Sequence, residues 1–383
     1  MEISESYRGR EHAFVKHELL KNYLEKLLFI MGMSGVKEVA YVDCFAGPYQ
    51  DESENIQATS IAISLNILKK VQDSLRERGR CVEIRAIYVE EKKSSYKRLN
   101  KYLEERPEDG IKAWSIHGDY SEHIDQILRL CGERSFVFFF IDPLGWVDVG
   151  IPKMARLLSR PNSEFLINFM YDFLNRFVGK PELREQVSQL LGELTDGDFQ
   201  RIQTDPKDRE RFIVGKYREQ IKKAMGEGKA RTYSATIKDK DKNRTKYHLV
   251  YGTRHPKGIV EFAKTSEGAE FLQRLVRSQS KHDSDPNASL FSSEEEVEVL
   301  DEARVDIGEV KKYWLSKLGN ELTIFDEEKL ANMLEETGWL ICDLQNAFQS
   351  LAQERKVENL DAKRARSKNP VNFENGERLR KIK

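Results

Sequence analysis

Val39-Ala40-Tyr41-Val42-Asp43-Cys44-Phe45-Ala46-Gly47-Pro48-Tyr49 is the stretch that decides the fold: an apolar run stops on an acid and passes into a glycine turn. A short, continuously apolar run suits a parallel strand buried on both faces. In open α/β sheets, ligands sit beyond the carboxyl ends of such strands, which is where Asp43 and Gly47 stand. The stretch therefore reads as the first strand and nucleotide turn of an α/β domain.

Working outward, residues 11–31 place Phe14, Leu19, Leu20, Tyr23, Leu24, Leu27 and Leu28 at the spacing of an amphipathic helix. Lys16 and His17 lie near its start, either as solvated charge or as part of a substrate-facing lid. Beyond the turn, the pattern predicts a helix over 58–76, a strand over 82–89 ending in Glu90, and a helix over 92–104. A short strand then ends in Asp119, a helix covers 121–131, and the apolar run Phe136–Ile141 ends in Asp142. After a helix over 150–159, a fifth strand is expected at 164–170 and a charged helical insertion at 172–230. Two more strands, at 231–239 and 245–252, precede a helix over 258–277. Alternating strands and helices make a parallel sheet with right-handed crossovers, so Asp43, Glu90, Asp119 and Asp142 converge on one edge. Any one of these acids taken singly suits a helix N-cap.

The chain of 383 residues has room for two or three domains. Lys plus Arg (63) nearly balances Asp plus Glu (64), so charge distribution and not net charge must indicate any nucleic-acid partner. Cys44, Cys81, Cys131 and Cys342 form no CxxC pair, which argues against a zinc or redox site and for reduced thiols. The amino terminus has no signal-peptide pattern, and no apolar run approaches the roughly 18 residues of a membrane span. The expectation is a soluble cytoplasmic protein with no bound metal.

The expected organisation is an α/β domain over 1–277, a linker over 278–306 and a small unit over 307–383. From 294 to 309 acids outnumber bases eight to one. The order of elements after 307 resembles a winged helix, whose second helix of the pair would read a groove. From Arg355 to Lys383 there are ten Lys or Arg against four Asp or Glu, either a solvated end or a phosphate contact.

Glycine at 47 lets backbone approach a nucleotide, and Glu90 offers acceptors for a ribose diol. Asp119 could accept from an exocyclic adenine amine or cap the helix that follows it. In Asp142-Pro143-Leu144-Gly145-Trp146, an acceptor carboxylate, a rigid proline and an aromatic can together hold a planar amine. Trp146 is equally readable as core.

Tyr41-Val-Asp-Cys-Phe-Ala-Gly-Pro48, the acid after Tyr88-Val89, Asp142-Pro143-Leu144-Gly145 and Tyr251-Gly-Thr-Arg-His-Pro-Lys-Gly258 together resemble the three-Cys-motif partner (TcmP) family. The resemblance spans roughly residues 10–275. It implies a Rossmann-like class I methyltransferase domain, S-adenosylmethionine as cofactor and a three-Cys-motif partner protein. It places Tyr41, Asp43, Phe45, Gly47, Glu90 and Asp119 at the cofactor and Asp142, Pro143 and Trp146 at the acceptor. More distantly, Lys16-His17 with the Asp43 turn and Asp142-Pro143 is similar to bacterial ribosomal-RNA adenine-N6 methyltransferases, which implies Lys16 and His17 as substrate contacts and nucleic acid as partner. The chain departs from these patterns in two places. Leu144 and Gly145 stand where amino methyltransferases have Pro and an aromatic, and Tyr49 stands where a further glycine is common.

Two other classes compete with this expectation. One is a nucleic-acid-binding scaffold that keeps the shell without turnover. The other is a magnesium-dependent phosphoesterase using Asp43, Asp119 and Asp142.

Overall fold

The computed structural model describes residues 7–382 except 8, 48–58, 203–204, 227, 240–243, 285–304, 363–365 and 367. It divides into two compact units, Met1–Arg254 and His255–Lys383.

In the first unit, seven strands form one sheet: β1 (Glu38–Asp43), β2 (Glu83–Glu90), β3 (Ile111–His117), β4 (Phe136–Ile141), β5 (Ser163–Phe169), β6 (Arg231–Lys238) and β7 (Thr245–Thr253). Their order is β3-β2-β1-β4-β5-β7-β6. Strands β1 to β5 pair in parallel, while β7 runs antiparallel to both β5 and β6. The chain builds outward from β1 to β3, then returns to lay β4 on the other side of β1. That reversal opens a crevice at the carboxyl ends of β1 and β4, where ligands bind in doubly wound sheets.

Both faces of β1, β4 and β5 are covered, which explains their apolar runs. Side chains alternate between faces along each strand. Ala40, Val42, Val137, Phe139, Ile141, Phe165 and Ile167 share one core with α4 (Ile124–Cys131), α5 (Ile151–Leu158) and α9 (Pro206–Met225). On the other face, Tyr41 stacks on Phe138 with ring centres 6.3 Å apart, and Tyr23 from α1 (Glu11–Met33) packs edge-on to Tyr251. Helix α1 lies against α2 (Ser60–Glu77) so closely that a Cβ on Gly32 would stand 2.3 Å from Leu75 Cδ1.

A polar knot is buried in that second layer. The Tyr23 hydroxyl donates to Glu164 Oε2 (2.9 Å) and lies 2.5 Å from the Tyr251 hydroxyl, and Thr253 Oγ1 donates to Glu164 Oε1 (2.8 Å). Burial pushes the Glu164 carboxyl up, and the surrounding hydroxyls oppose the shift. Glu164→Ala removes the buried acceptor shared by the Tyr23 and Thr253 hydroxyls, so a loss of about 2–3 kcal/mol is expected. Faster hydrogen exchange at the β5 amides and a lower melting temperature would register it; unchanged exchange would count against the knot.

Four helices fill the interval between β5 and β6: α6 (Tyr171–Phe177), α7 (Arg184–Leu191), α8 (Asp196–Ile202) and α9. They form the expected helical insertion, with α7 packed on the short 3-10 turn Val147–Val149. Five cations lie over four phenylalanine rings here, Arg176 on Phe173, Lys180 on Phe177, Arg184 on Phe199, and Arg201 and Lys216 on Phe212.

The second unit begins with α10 (Pro256–Ser284), so the helix expected to close the first domain belongs with the carboxyl-terminal elements and the boundary falls well before 277. Residues 278–284 of the expected linker are helical, and 285–304 lie outside the described residues. Next come α11 (Ile307–Lys317), β8 (Thr323–Phe325), α12 (Glu327–Thr337), α13 (Ile341–Gln353), β9 (Val357–Asn359) and β10 (Glu377–Lys381). Asp306 and Asp326 cap α11 and α12, and Gly338 ends α12 in the left-handed region (φ 66°). The three strands form an antiparallel sheet in the order β8-β10-β9. Trp314 is fully buried between Phe325 and Phe348 and donates its indole N–H to the Leu344 carbonyl (2.8 Å). Among the described residues, no helix is long and apolar enough to cross a membrane.

Candidate functional site

Three of the strand-end acids meet at the crevice. Asp43, the last residue of β1, is fully buried. Its Oδ1 accepts from the Phe45 backbone N–H (3.1 Å), and its Oδ2 accepts from Ser60 Oγ at the start of α2 (3.1 Å). Burial pushes its carboxyl up to about 7; the Asp142 charge adds to the rise, while the two hydrogen bonds and Lys16 oppose it. This acid is therefore part protonated at neutral pH.

Glu90, at the end of β2, is buried, which raises its pKa, and its Oε1 accepts from the Lys92 backbone N–H (2.7 Å). Its Oε2 lies 2.1 Å from the point a Cβ on Gly47 would occupy. Glycine at 47 lets the turn after β1 pass close to this carboxylate. Among the described residues no hydrogen bond reaches Oε2, which leaves it as an acceptor facing the turn. A carboxylate acceptor beside a side-chain-free turn fits the ribose diol of a nucleotide cofactor.

Asp142 follows β4 and is held on both oxygens. Lys16 from α1 forms a close ion pair with Oδ2, and Asn168 Nδ2 donates to Oδ1 (2.6 Å). Lys16 is thus no solvated charge: its side chain is 12% exposed, with the ammonium 5.9 Å from the Tyr247 ring centre. Asn168 on β5 is buried, and its Oδ1 has no hydrogen-bond partner among the described residues. His17 accepts or donates at Nδ1 to the Tyr7 hydroxyl (2.9 Å). Burial and the neighbouring Lys16 push its imidazole down to about 3, so it is neutral at physiological pH.

The remaining expected residues are placed differently. Asp119 lies two residues past β3 and caps no helix; its Oδ1 accepts from the backbone N–H (2.8 Å) and Oγ (2.9 Å) of Ser121, and Lys153 Nζ is 3.8 Å from Oδ2. Tyr41 has no exposed surface and lies between Phe138 and Tyr88, so its ring is core and not a cofactor contact. Trp146 is 6% exposed inside the core shared with Val149 and Met154, which removes it from the acceptor position. Pro143 is buried, whereas Leu144 and Val147 of the same loop are exposed. Phe45 is half-buried and meets Tyr120 edge-on at 5.2 Å. Tyr49 lies outside the described residues. Asp43, Asp119 and Asp142 are each committed to protein donors, an arrangement unlike a shared magnesium site.

The sequence reading missed Ser60 and Asn168. Asn168 carries a signal in hindsight, a lone amide within the apolar run Phe165–Phe169.

In the carboxyl-terminal unit, the helix expected to read a groove, α13, contains neither Lys nor Arg. Its first turn is closed by Glu267, whose Oε1 accepts from the Cys342 backbone N–H (2.7 Å). The basic tail is largely neutralised where it is described: Arg366 pairs with Glu377 (2.7 Å), Arg378 with Asp361 (2.6 Å) and Arg380 with Glu358.

No protein-family model matches the chain, and no curated protein matches it. Among solved structures the chain is similar to a family-model DUF519 protein from Legionella pneumophila str. Philadelphia 1. The identity is 12% and the TM-score 0.39, over 68% of this chain and 92% of that one. A likeness of this degree carries no functional argument.

Proposed function

We propose that this chain is an S-adenosylmethionine-dependent methyltransferase acting on an amino nitrogen of a nucleic-acid base, with a winged-helix-like second unit. A sheet in which a reversed seventh strand separates β5 from β6 agrees with the class I methyltransferase fold implied by the resemblance to three-Cys-motif partner proteins. The observation that carries the reading is the meeting of Gly47, Glu90, Asp43 and Asp142 around the carboxyl ends of the adjacent strands β2, β1 and β4.

When bound, S-adenosylmethionine supplies an electrophilic methyl group on a sulfonium. The chain supplies position and charge. Glu90 Oε2 accepts from ribose hydroxyls, and Gly47 keeps the turn open for them. Asp43 fixes the turn through Phe45 and ties it to α2 through Ser60. Asp142, steadied by Lys16 and Asn168, orients the acceptor amine and offsets the positive charge that develops on its nitrogen. Alignment accounts for most of the rate in such a transfer, because no strong acid or base is needed.

Isothermal titration of the full chain with S-adenosylmethionine tests the reading, followed by incubation with methyl-labelled cofactor and total RNA or DNA. Glu90→Ala is expected to weaken cofactor binding about tenfold or more by removing the acceptor for the ribose hydroxyls, since a hydrogen bond to a charged group is worth roughly 1.5–3 kcal/mol. No heat from the wild-type protein would refute the cofactor assignment.

One observation favours a second reading. The Lys16 ammonium sits on the carboxylate that a target amine would use, as it would in a scaffold that has given up turnover. That reading expects cofactor heat without methyl transfer.

A further inference from the structure

The helices between β5 and β6 present a feature that the methyl-transfer reading does not use. Cation–ring pairs, a lysine or arginine within about 6 Å of a ring centre, gather there. Here five fall between Phe173 and Lys216. Three of the pairs reach the surface: Phe173 is 41% exposed, Arg176, Lys180 and Arg184 are exposed, and Phe177 and Phe199 are half-buried, whereas Phe212 packs against the core, as Phe199 does on its inner side. Arg176 also pairs with Asp172, whereas Lys180 and Arg184 have no acidic partner among the described residues. The segment is continuous with the candidate site, since α6 starts at Tyr171, three residues after Asn168, and α7 packs on the loop that follows Asp142.

We propose that this segment is a contact surface for single-stranded nucleic acid. Unstacked bases lie on the ring of Phe173 and the guanidinium planes of Arg176 and Arg184, and phosphates are met by Lys180 and Arg184. Rings and guanidinium planes accept any base face, and unpaired cations follow a sugar-phosphate chain. A duplex hides its base faces, so the surface selects single strands. A base splayed onto α6 is already extracted from its stack, which is the state amino-group chemistry on a base requires. The proposal shares the substrate class of the methyltransferase reading, but the binding itself needs no cofactor.

The test is fluorescence polarisation of the full chain with labelled 12-nucleotide RNA and DNA single strands and with a DNA duplex, across a salt series. Binding to a single strand, weakening with salt and exceeding binding to the duplex, is expected; the RNA and DNA arms show which sugar is preferred. Phe173→Ala and the pair Lys180→Glu/Arg184→Glu should each weaken it by about tenfold or more, with a shallower salt dependence for the charge pair. The pair Lys101→Glu/Lys112→Glu, two exposed lysines on α3 (Lys93–Glu104) and β3, should leave it unchanged. Circular dichroism melts establish that each variant is folded. Absence of single-strand binding by the wild-type protein, or equal losses in the α3/β3 pair, would overturn the proposal. Heat with S-adenosylmethionine but no oligonucleotide binding would defeat the surface alone; oligonucleotide binding without that heat would defeat the methyltransferase reading alone.

Discussion

Asp142→Ala is expected to lower methyl transfer by roughly 100- to 1000-fold, the usual cost of removing one preorganised electrostatic partner from a reacting centre. Cofactor affinity should change little, because Asp43, Gly47 and Glu90 belong to the ends of β1 and β2 and the turn after β1. The alanine also strands two donors, Lys16 Nζ and Asn168 Nδ2, which now share this carboxylate. Part of any loss could therefore come from disorder at the end of β4. The double variant Lys16→Met/Asp142→Ala separates the two effects: removing the ammonium relieves the uncompensated charge, so stability should recover while transfer stays low. Single-turnover transfer of a labelled methyl group and a thermal melt on each variant give the two readouts. Transfer at the wild-type rate in Asp142→Ala would show that this carboxylate has no part in the reaction.

Asp43→Asn should stabilise the first unit at pH 8 by about 2–4 kcal/mol, the scale set by 1.36 kcal/mol for each pKa unit. Folding raises this acid from its ordinary 3.8 to about 7, chiefly by burial. Between those values the folded chain keeps a proton that the unfolded chain has lost. The native state then binds more protons, so stability falls as pH rises from about 4 to 7 and is level above that. Asparagine cannot ionise, and the slope belonging to residue 43 disappears with it. Its amide oxygen can still accept from Phe45 N–H, which preserves the turn. Native-state hydrogen exchange at the β1 amides, compared at pH 5 and pH 8, reads this unit separately from the other. A wild-type profile that is flat over this range, or an asparagine variant less stable at pH 8, would show that the acid is ionised at little cost.

What could be read from the sequence followed the local pattern. Strands β1, β2 and β4 are covered on both faces toward their carboxyl ends, so each appears as an apolar run closed by an acid, and Asp43, Glu90 and Asp142 could be placed from that alone. Tyr41 and Asp43 also share a face by the two-residue period, but the period does not tell how far the helices reach along the strand. Tyr41 lies one step under the roof of α1 and α2, and only Asp43 stands at its edge. Trp146 failed for a related reason: an aromatic five residues past a strand can turn inward or outward, and here the 3-10 turn at Val147–Val149 turns it in. The Tyr23–Glu164–Tyr251 knot joins residues 141 and 228 positions apart and leaves no local trace. In the second unit the charge run of the tail was legible. Its neutralisation was not, because Asp361 and Glu358 meet Arg378 and Arg380 only once β9 and β10 pair.

The reversed seventh strand also bears on the order in which the molecule comes into being. Strand β7 fills the gap between β5 and β6, yet it is the last of the seven to be synthesised. Until Thr253 arrives, Glu164 lacks the hydroxyl that donates to its Oε1, and β5 presents an open edge to other chains. Pairings between such distant segments form slowly. A ribosome-bound chain that stops short of residue 253 thus holds most of the sequence of the crevice but not the strand that closes it, and the interval before closure is when this protein is most exposed to mispairing.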